Sequence, residues 1–228
     1  MRRAPVVLLL VCAALAPVRL GWAQPAAGPD DARICATANG QHAIDACTRA
    51  LASRRFTRSE LALLHYRRAM LLREAGAFDR AIKDFTAAIH LNGDAIPMSA
   101  DAFDIMISQR NAYLNRGRTH ADLGDDAAAL ADYATLLKAD PRDRQALAAR
   151  ARLFEKMGTC DRAIADYDAI IAMDAKSADS LIGRARCAAK LGGRDRAIAD
   201  YRAALALEVS DTVKAEVLAA LEKLGAAP

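Results

Sequence analysis

Several things are scarce in this sequence, and each shortage removes a class of protein. No apolar run is long enough to be read with confidence as a membrane span: the longest, Ala4–Val18, has 15 residues and is broken by Pro5 and Pro17. The four histidines, His42, His65, His90 and His120, form no ligand cluster with the cysteines, and no Cys-x-x-Cys occurs. Neither a metal site nor a cofactor is therefore expected. Charge of one sign is also missing. The formal net charge is +4, but residues 1–23 hold Arg2, Arg3 and Arg19 and no acid, which leaves 29 basic against 28 acidic side chains in the remainder. Bulk attraction to nucleic acid has no support in that balance. No nucleophile beside a base and no convergent acid–base pair can be picked out, so the expectation is a protein without catalysis.

The first residues have their own logic. Met1-Arg2-Arg3 is a positive start, the apolar run follows, and Gly21-Trp22-Ala23 puts small residues at the −3 and −1 positions of a cut before Gln24. That is the anatomy of a secretory signal over 1–23, and it predicts an exported protein, periplasmic or secreted. Cys12 follows Val11, and the apolar run continues past it, which argues against a lipoprotein. Residues 24–32, rich in Ala, Pro, Gly and Asp, read as a flexible leader. Four cysteines then remain, Cys35, Cys47, Cys160 and Cys187, an even number bound for an oxidising compartment. Cys35 with Cys47 and Cys160 with Cys187 is the preferred pairing. Two buried thiols are the alternative for the second pair.

What the chain does have is a period. Asp161-Arg162-Ala163-Ile164-Ala165-Asp166-Tyr167 returns unchanged at Asp195–Tyr201, 34 residues later, and Ala129 precedes Ala163 by the same 34. A fixed period of this length means stacked supersecondary units, an all-α solenoid. The units are expected at 61–95, 110–143, 144–177 and 178–211, with Gly76, Gly124, Gly158 and Gly192 at the turns between their two helices. Residues 33–60 read as a half-repeat cap, its first helix cut short by Gly40, and residues 212–228 as a capping helix. Between the first and second units the period slips by 14 residues, over 96–109. There a backward extension of the next helix is expected. Its apolar stripe Phe103, Met106 and Ile107 either packs on the preceding repeat or offers an edge to a partner or a second copy.

The pattern Arg116-Gly117, Gly124, Ala129, Tyr133, Pro141 resembles the tetratricopeptide repeat, a 34-residue helix–turn–helix unit, and Asn115-Arg116-Gly117 with Ala131-Asp132-Tyr133 resembles a type frequent in exported bacterial proteins. The resemblance implies a right-handed superhelix whose concave wall is made of first helices and which holds proteins or peptides. It implies no chemistry. The family's carboxylate clamp does not carry over, because Tyr66, Met70, Asn115, Gln145 and Ala149 occupy the clamp positions and only Asn115 agrees.

Two arginine ladders run through the units. Arg68, Arg116, Arg150 and Arg184 each precede an aspartate, Asp84, Asp132, Asp166 and Asp200, by sixteen residues, which suggests an ion pair joining the two helices of each unit. The second ladder, Arg118, Arg152 and Arg186, is expected on the concave wall, with Asn111 and Asn115 as amides and Tyr66, Leu114 and Ile182 as apolar contacts. It would form a groove for an acidic or C-terminal segment of a partner. Against this stands a solvated face with local pairs, Arg118 with Asp122 and Arg152 with Glu155, leaving Arg186 unanswered in its own helix. The leading expectation is thus an exported protein–protein interaction module. The alternative is a structural or self-assembling subunit that uses the extended helix at 96–109.

Overall fold

The computed structural model describes residues 30–53, 55–92 and 103–226, and every regular element within them is an α-helix. The expected signal at 1–23, most of the leader and residues 96–102 of the insertion lie outside the described residues, as do the side chains of Phe103, Met106 and Ile107.

The helices are α1 (Asp30–Thr37), α2 (Gly40–Ala52), α3 (Arg58–Glu74), α4 (Phe78–Asn92), α5 (Phe103–Leu123), α6 (Asp126–Ala139), α7 (Arg144–Lys156), α8 (Cys160–Met173), α9 (Ala178–Lys190), α10 (Arg194–Leu205) and α11 (Asp211–Lys223). They pack in sequential pairs, α1 on α2 through α9 on α10, and each pair packs on the next. The turns that close the later pairs need a left-handed residue. Gly124, Gly158 and Gly192 supply it with φ of 89°, 77° and 81°. Helix starts are fixed by side chains: Thr57 and Glu60 form a capping box on α3, Asp143 accepts from the backbone N–H groups of Gln145 and Ala146, and Ser210 accepts from that of Val213.

The N-terminal end is more complete than the sequence suggested. Asp30 and Asp31, expected in the leader, open α1, which stops at Thr37 short of Gly40, and Gly40, with φ of 68°, begins α2. The cap is therefore a short first helix paired with a full second one. Asp31 ties the two through Arg49 at 2.6 Å, and a Cys35–Cys47 disulfide crosslinks them. Cys47 is fully buried in the core position that Phe85, Tyr133, Tyr167 and Tyr201 fill in later pairs. The first helix of the next pair also starts earlier than expected, at Arg58. The second cysteine pairing is not formed. Cys160 and Cys187 are buried free thiols in hydrogen-bond contact.

The core runs along the array as three clusters. The first centres on Ile44, Leu71, Leu72 and Phe85, the second on Leu114, Tyr133, Leu136 and Phe154, and the third on Leu181, Tyr201, Val217 and Leu221. Small residues set the spacing of the helices. A Cβ at Gly183 would come within 2.3 Å of the Tyr167 ring, and one at Gly117 within 2.6 Å of the Tyr133 ring. Each aromatic side chain thus packs directly against a helix at a point where that helix has no side chain.

Candidate functional site

The Arg–Asp ladder builds the frame. Arg68, Arg116, Arg150 and Arg184, on α3, α5, α7 and α9, each donate from Nε and Nη2 to both carboxylate oxygens of Asp84, Asp132, Asp166 and Asp200, at 2.6–3.0 Å. The aspartates are buried, so the fork geometry of the guanidinium answers a charge that water cannot reach. Three of the four arginines also reach the second helix of the preceding pair. Arg68 donates to the Thr48 hydroxyl, Arg116 to that of Thr86 and Arg184 to the Asp168 carboxylate. Arg150 has Ala134 at the corresponding place and makes no such bond. His65 adds a second partner to Asp84 at 2.9 Å. Burial works against the charge of Asp84, but Arg68 and His65 outweigh it and hold the carboxyl below its ordinary range.

The face made by α3, α5, α7 and α9 carries the second set. Two open clefts lie on it, of about 430 Å³ and about 660 Å³, and Arg118 and Arg152 line both. The charges there are partnered across helices, not within them. Asp122 takes Arg73 of α3 at 2.7 Å instead of Arg118. Glu155 takes Arg186 of α9 through two bonds, at 2.7 and 3.1 Å, instead of Arg152. Arg152 touches Asp179 of α9 at 3.4 Å, and Arg110 forks onto Asp143, the cap of α7. The local pairs expected from i+3 and i+4 spacing do not form, and Arg186, unanswered in its own helix, is answered from α7. Glu155 also accepts from the Tyr167 hydroxyl at 3.3 Å. Its burial would raise its pKa, but Arg186 and Lys190 hold it below the ordinary value.

Arg118 is the exception. It is half-buried, and among the described residues it meets no carboxylate and makes no hydrogen bond. Burial lowers its pKa, and the nearby cations Arg73, Arg152 and Arg110 add to that against the opposing influence of Tyr133. In the same environment, burial pushes the Tyr133 hydroxyl up to about 12.

The remaining expected groove residues divide. Tyr66 and Asn111 are partly exposed, and Asn115, mostly buried, donates to the Tyr66 hydroxyl at 3.2 Å and to the Asn111 carbonyl at 2.9 Å. Leu114 and Ile182, expected as apolar contacts for a ligand, are only 2% and 8% exposed and belong to the core. Each belongs to a buried cluster that includes the second helix of its own pair, Leu114 with Tyr133 and Leu136 and Ile182 with Tyr201 and Ala204. Arg73, Arg110 and Asp179 were not anticipated from the sequence, and Glu155 was expected to answer Arg152 rather than Arg186. Their signal was present as charge pairs separated by roughly one repeat, such as Glu155 and Arg186. Among the described residues no group of three or more His, Cys, Asp or Glu is placed to hold a metal ion, and no helix is long and apolar enough to cross a membrane.

Residues 114–178 and 148–208 match the tetratricopeptide repeat family. Among curated proteins, none matches the sequence. Solved structures do. A tetratricopeptide repeat protein from Parabacteroides merdae aligns with a TM-score of 0.66 at 21% identity, over 81% of this chain and 66% of that one, so the match spans slightly under two thirds of that protein's length. MamA from Desulfovibrio magneticus aligns at 0.63 and 13% identity, over 80% of this chain and 97% of the other. YrrB, described as a repeat protein of this kind with an unusual peptide-binding site, aligns at 0.58 and 16% identity, over 79% and 82%. At these identities the likeness is one of fold.

Proposed function

We propose that the chain is an exported interaction scaffold holding an acidic segment of a protein or peptide on the α3–α5–α7–α9 face, a reading that starts from the match of residues 114–178 and 148–208 to the tetratricopeptide-repeat family. Repeats of this family serve as scaffolds for protein partners and are typically not catalysts. The observation that carries the reading is the pair of adjoining clefts on that face, both lined by Arg118 and Arg152. A groove of this shape takes an extended chain, and cations along it favour acidic side chains. The peptide-binding site named for YrrB supports the class of ligand, not its identity. Export rests on the signal-like anatomy of 1–23 and on the Cys35–Cys47 disulfide, which persists in an oxidising compartment such as the periplasm or the exterior.

The test is a peptide array probed with residues 24–228 and with the Arg118→Glu, Arg152→Glu double variant, checked for helicity by circular dichroism. Capture biased toward acidic peptides, and lost in the double variant, is expected. A folded variant that captures the same peptides would overturn the groove. Mass spectrometry of the exported fraction checks the other half of the proposal, with a mature start at Gln24 expected.

A further inference from the structure

An arginine stays ionised at any pH that a folded protein meets, so a half-buried guanidinium without an acceptor is held at a cost in free energy. The other arginines in the described frame and face have an answer. Arg68, Arg116, Arg150 and Arg184 hold the buried aspartates, and Arg73, Arg110 and Arg186 hold Asp122, Asp143 and Glu155. Arg118 alone among them has neither carboxylate nor hydrogen bond, although it stands among three further cations. Packing of the core does not require a charge there, since Tyr133 beside it is already buried.

Its position gives the charge a use. Arg118 lines both clefts, and α7 gives Ala148 to one and Ala149 to the other, side chains that end at Cβ. Arg152, the other residue common to both clefts, is tied only to Asp179 at 3.4 Å, with the two side chains 57% and 80% exposed. Such an exposed contact is worth little and exchanges readily for a better acceptor. Arg186 is committed by comparison, because its Nε and Nη2 both donate to Glu155.

The geometry points to an anion subsite at Arg118, with Arg152 as its second donor, that takes a carboxylate of a bound peptide. This rests on reading the face as a groove and sharpens it: of the three arginines expected there, Arg118 anchors the ligand, Arg152 assists, and Arg186 belongs to the scaffold. The carboxylate can come from an acidic side chain or from a chain end, and the two sources are separable.

Three probes distinguish them by isothermal titration: hexaglutamate acetylated and amidated at its ends, a Gly-Ser hexapeptide with a free carboxyl terminus, and the same hexapeptide amidated. Binding of the first assigns side-chain carboxylates, binding of the second alone assigns a chain end, and the third stays silent. Arg118→Gln is expected to weaken the binding probe by about tenfold or more, as loss of a charge-assisted hydrogen bond implies, Arg118→Lys to restore part of it, and Arg186→Gln to leave it within about twofold. Without ligand, Arg118→Gln is expected to melt at or above the wild-type temperature, because it removes an unanswered charge. Hexaglutamate should then raise the wild-type midpoint but not that of the variant. A drop in the ligand-free midpoint would mark Arg118 as structural and overturn the assignment. Equal binding by Arg118→Gln and wild type, or no binding by either carboxylate probe, overturns it too. If the array still selects peptides that the double variant loses, the groove survives and only the anchor falls. An empty wild-type array removes the groove itself.

Discussion

Arg184 donates to Asp168 of the preceding pair at 2.6 Å while its other two nitrogens hold Asp200 in its own pair. One guanidinium therefore closes a hairpin and fastens that hairpin to its neighbour. These are different energetic roles, and they can be separated by substitution.

Within a hairpin the aspartate is the buried partner. Asp166→Ala leaves Arg150 without an acceptor on a partly buried face, and a loss of about 2–4 kcal/mol is expected, toward the lower side of what breaking a buried pair costs because the arginine keeps some access to water. Urea unfolding followed by circular dichroism measures it. A change under about 0.5 kcal/mol would place the pair with ordinary surface ion pairs.

Between hairpins the missing bond is at Ala134. Thr86 accepts from Arg116 across the α4–α5 junction, and Asp168 from Arg184 across α8–α9, but Arg150 finds only a methyl group on α6. Ala134→Thr is expected to add about 0.5–1 kcal/mol, the net value of one hydrogen bond, less the small helix-propensity penalty of threonine. The gain should vanish in an Arg150→Met background, which a double-mutant cycle reads directly.

Acid should loosen the array through Glu155 and Asp84. Both folded-state pKa values lie below the ordinary ones, 4.5 and 3.8. The stability they contribute is fully present above those unfolded-state values and is lost as pH falls through the lower folded-state ones. Unfolding free energy measured from pH 6 downward is expected to hold to about pH 5 and then decline. Glu155→Gln should start lower at pH 6 and decline less steeply, because its group no longer titrates.

Thiol chemistry checks the cysteines. Residues 24–228 in denaturant without reductant should present two reactive thiols, those of Cys160 and Cys187, and none in the native state. Burial and the neighbouring Cys160 sulfur push the Cys187 thiol up to about 12, which keeps the reactive thiolate scarce. Replacing Cys35 and Cys47 by serine opens a loop of 12 residues and is expected to cost about 3 kcal/mol.

How far the sequence could be read follows from what fixes each feature. The turn glycines and the Arg–Asp spacing of sixteen are set inside one hairpin, where covalent distance along two antiparallel helices decides which residues meet. The pattern repeats four times, so it can be read directly. The second ladder depends on contacts between hairpins. Glu155 finds Arg186 across two helices, and Asp122 turns to Arg73 across the 14-residue slip. Neighbour rules for a single helix miss such partners, and they hid the fact that Arg118 is the cation left over. Leu114 and Ile182 were misplaced for a related reason: position on a first helix fixes the direction of a side chain only to within the width of a helix face, which separates groove from core poorly. Gly117 and Gly183 lie under tyrosine rings of second helices, a relationship that only packing reveals.

The hairpins also differ in what they demand of the one before, and this bears on how such a chain can lengthen. A tandem copy of 144–177 inserted after Ser177 would set the copied Arg150 against Asp168 and gain the bond that the original lacks. Excising the same segment would leave Arg184 facing Ala134 and lose one. By this single contact, duplication of the third unit is favoured and its deletion penalised, so the array is biased toward growth at that point.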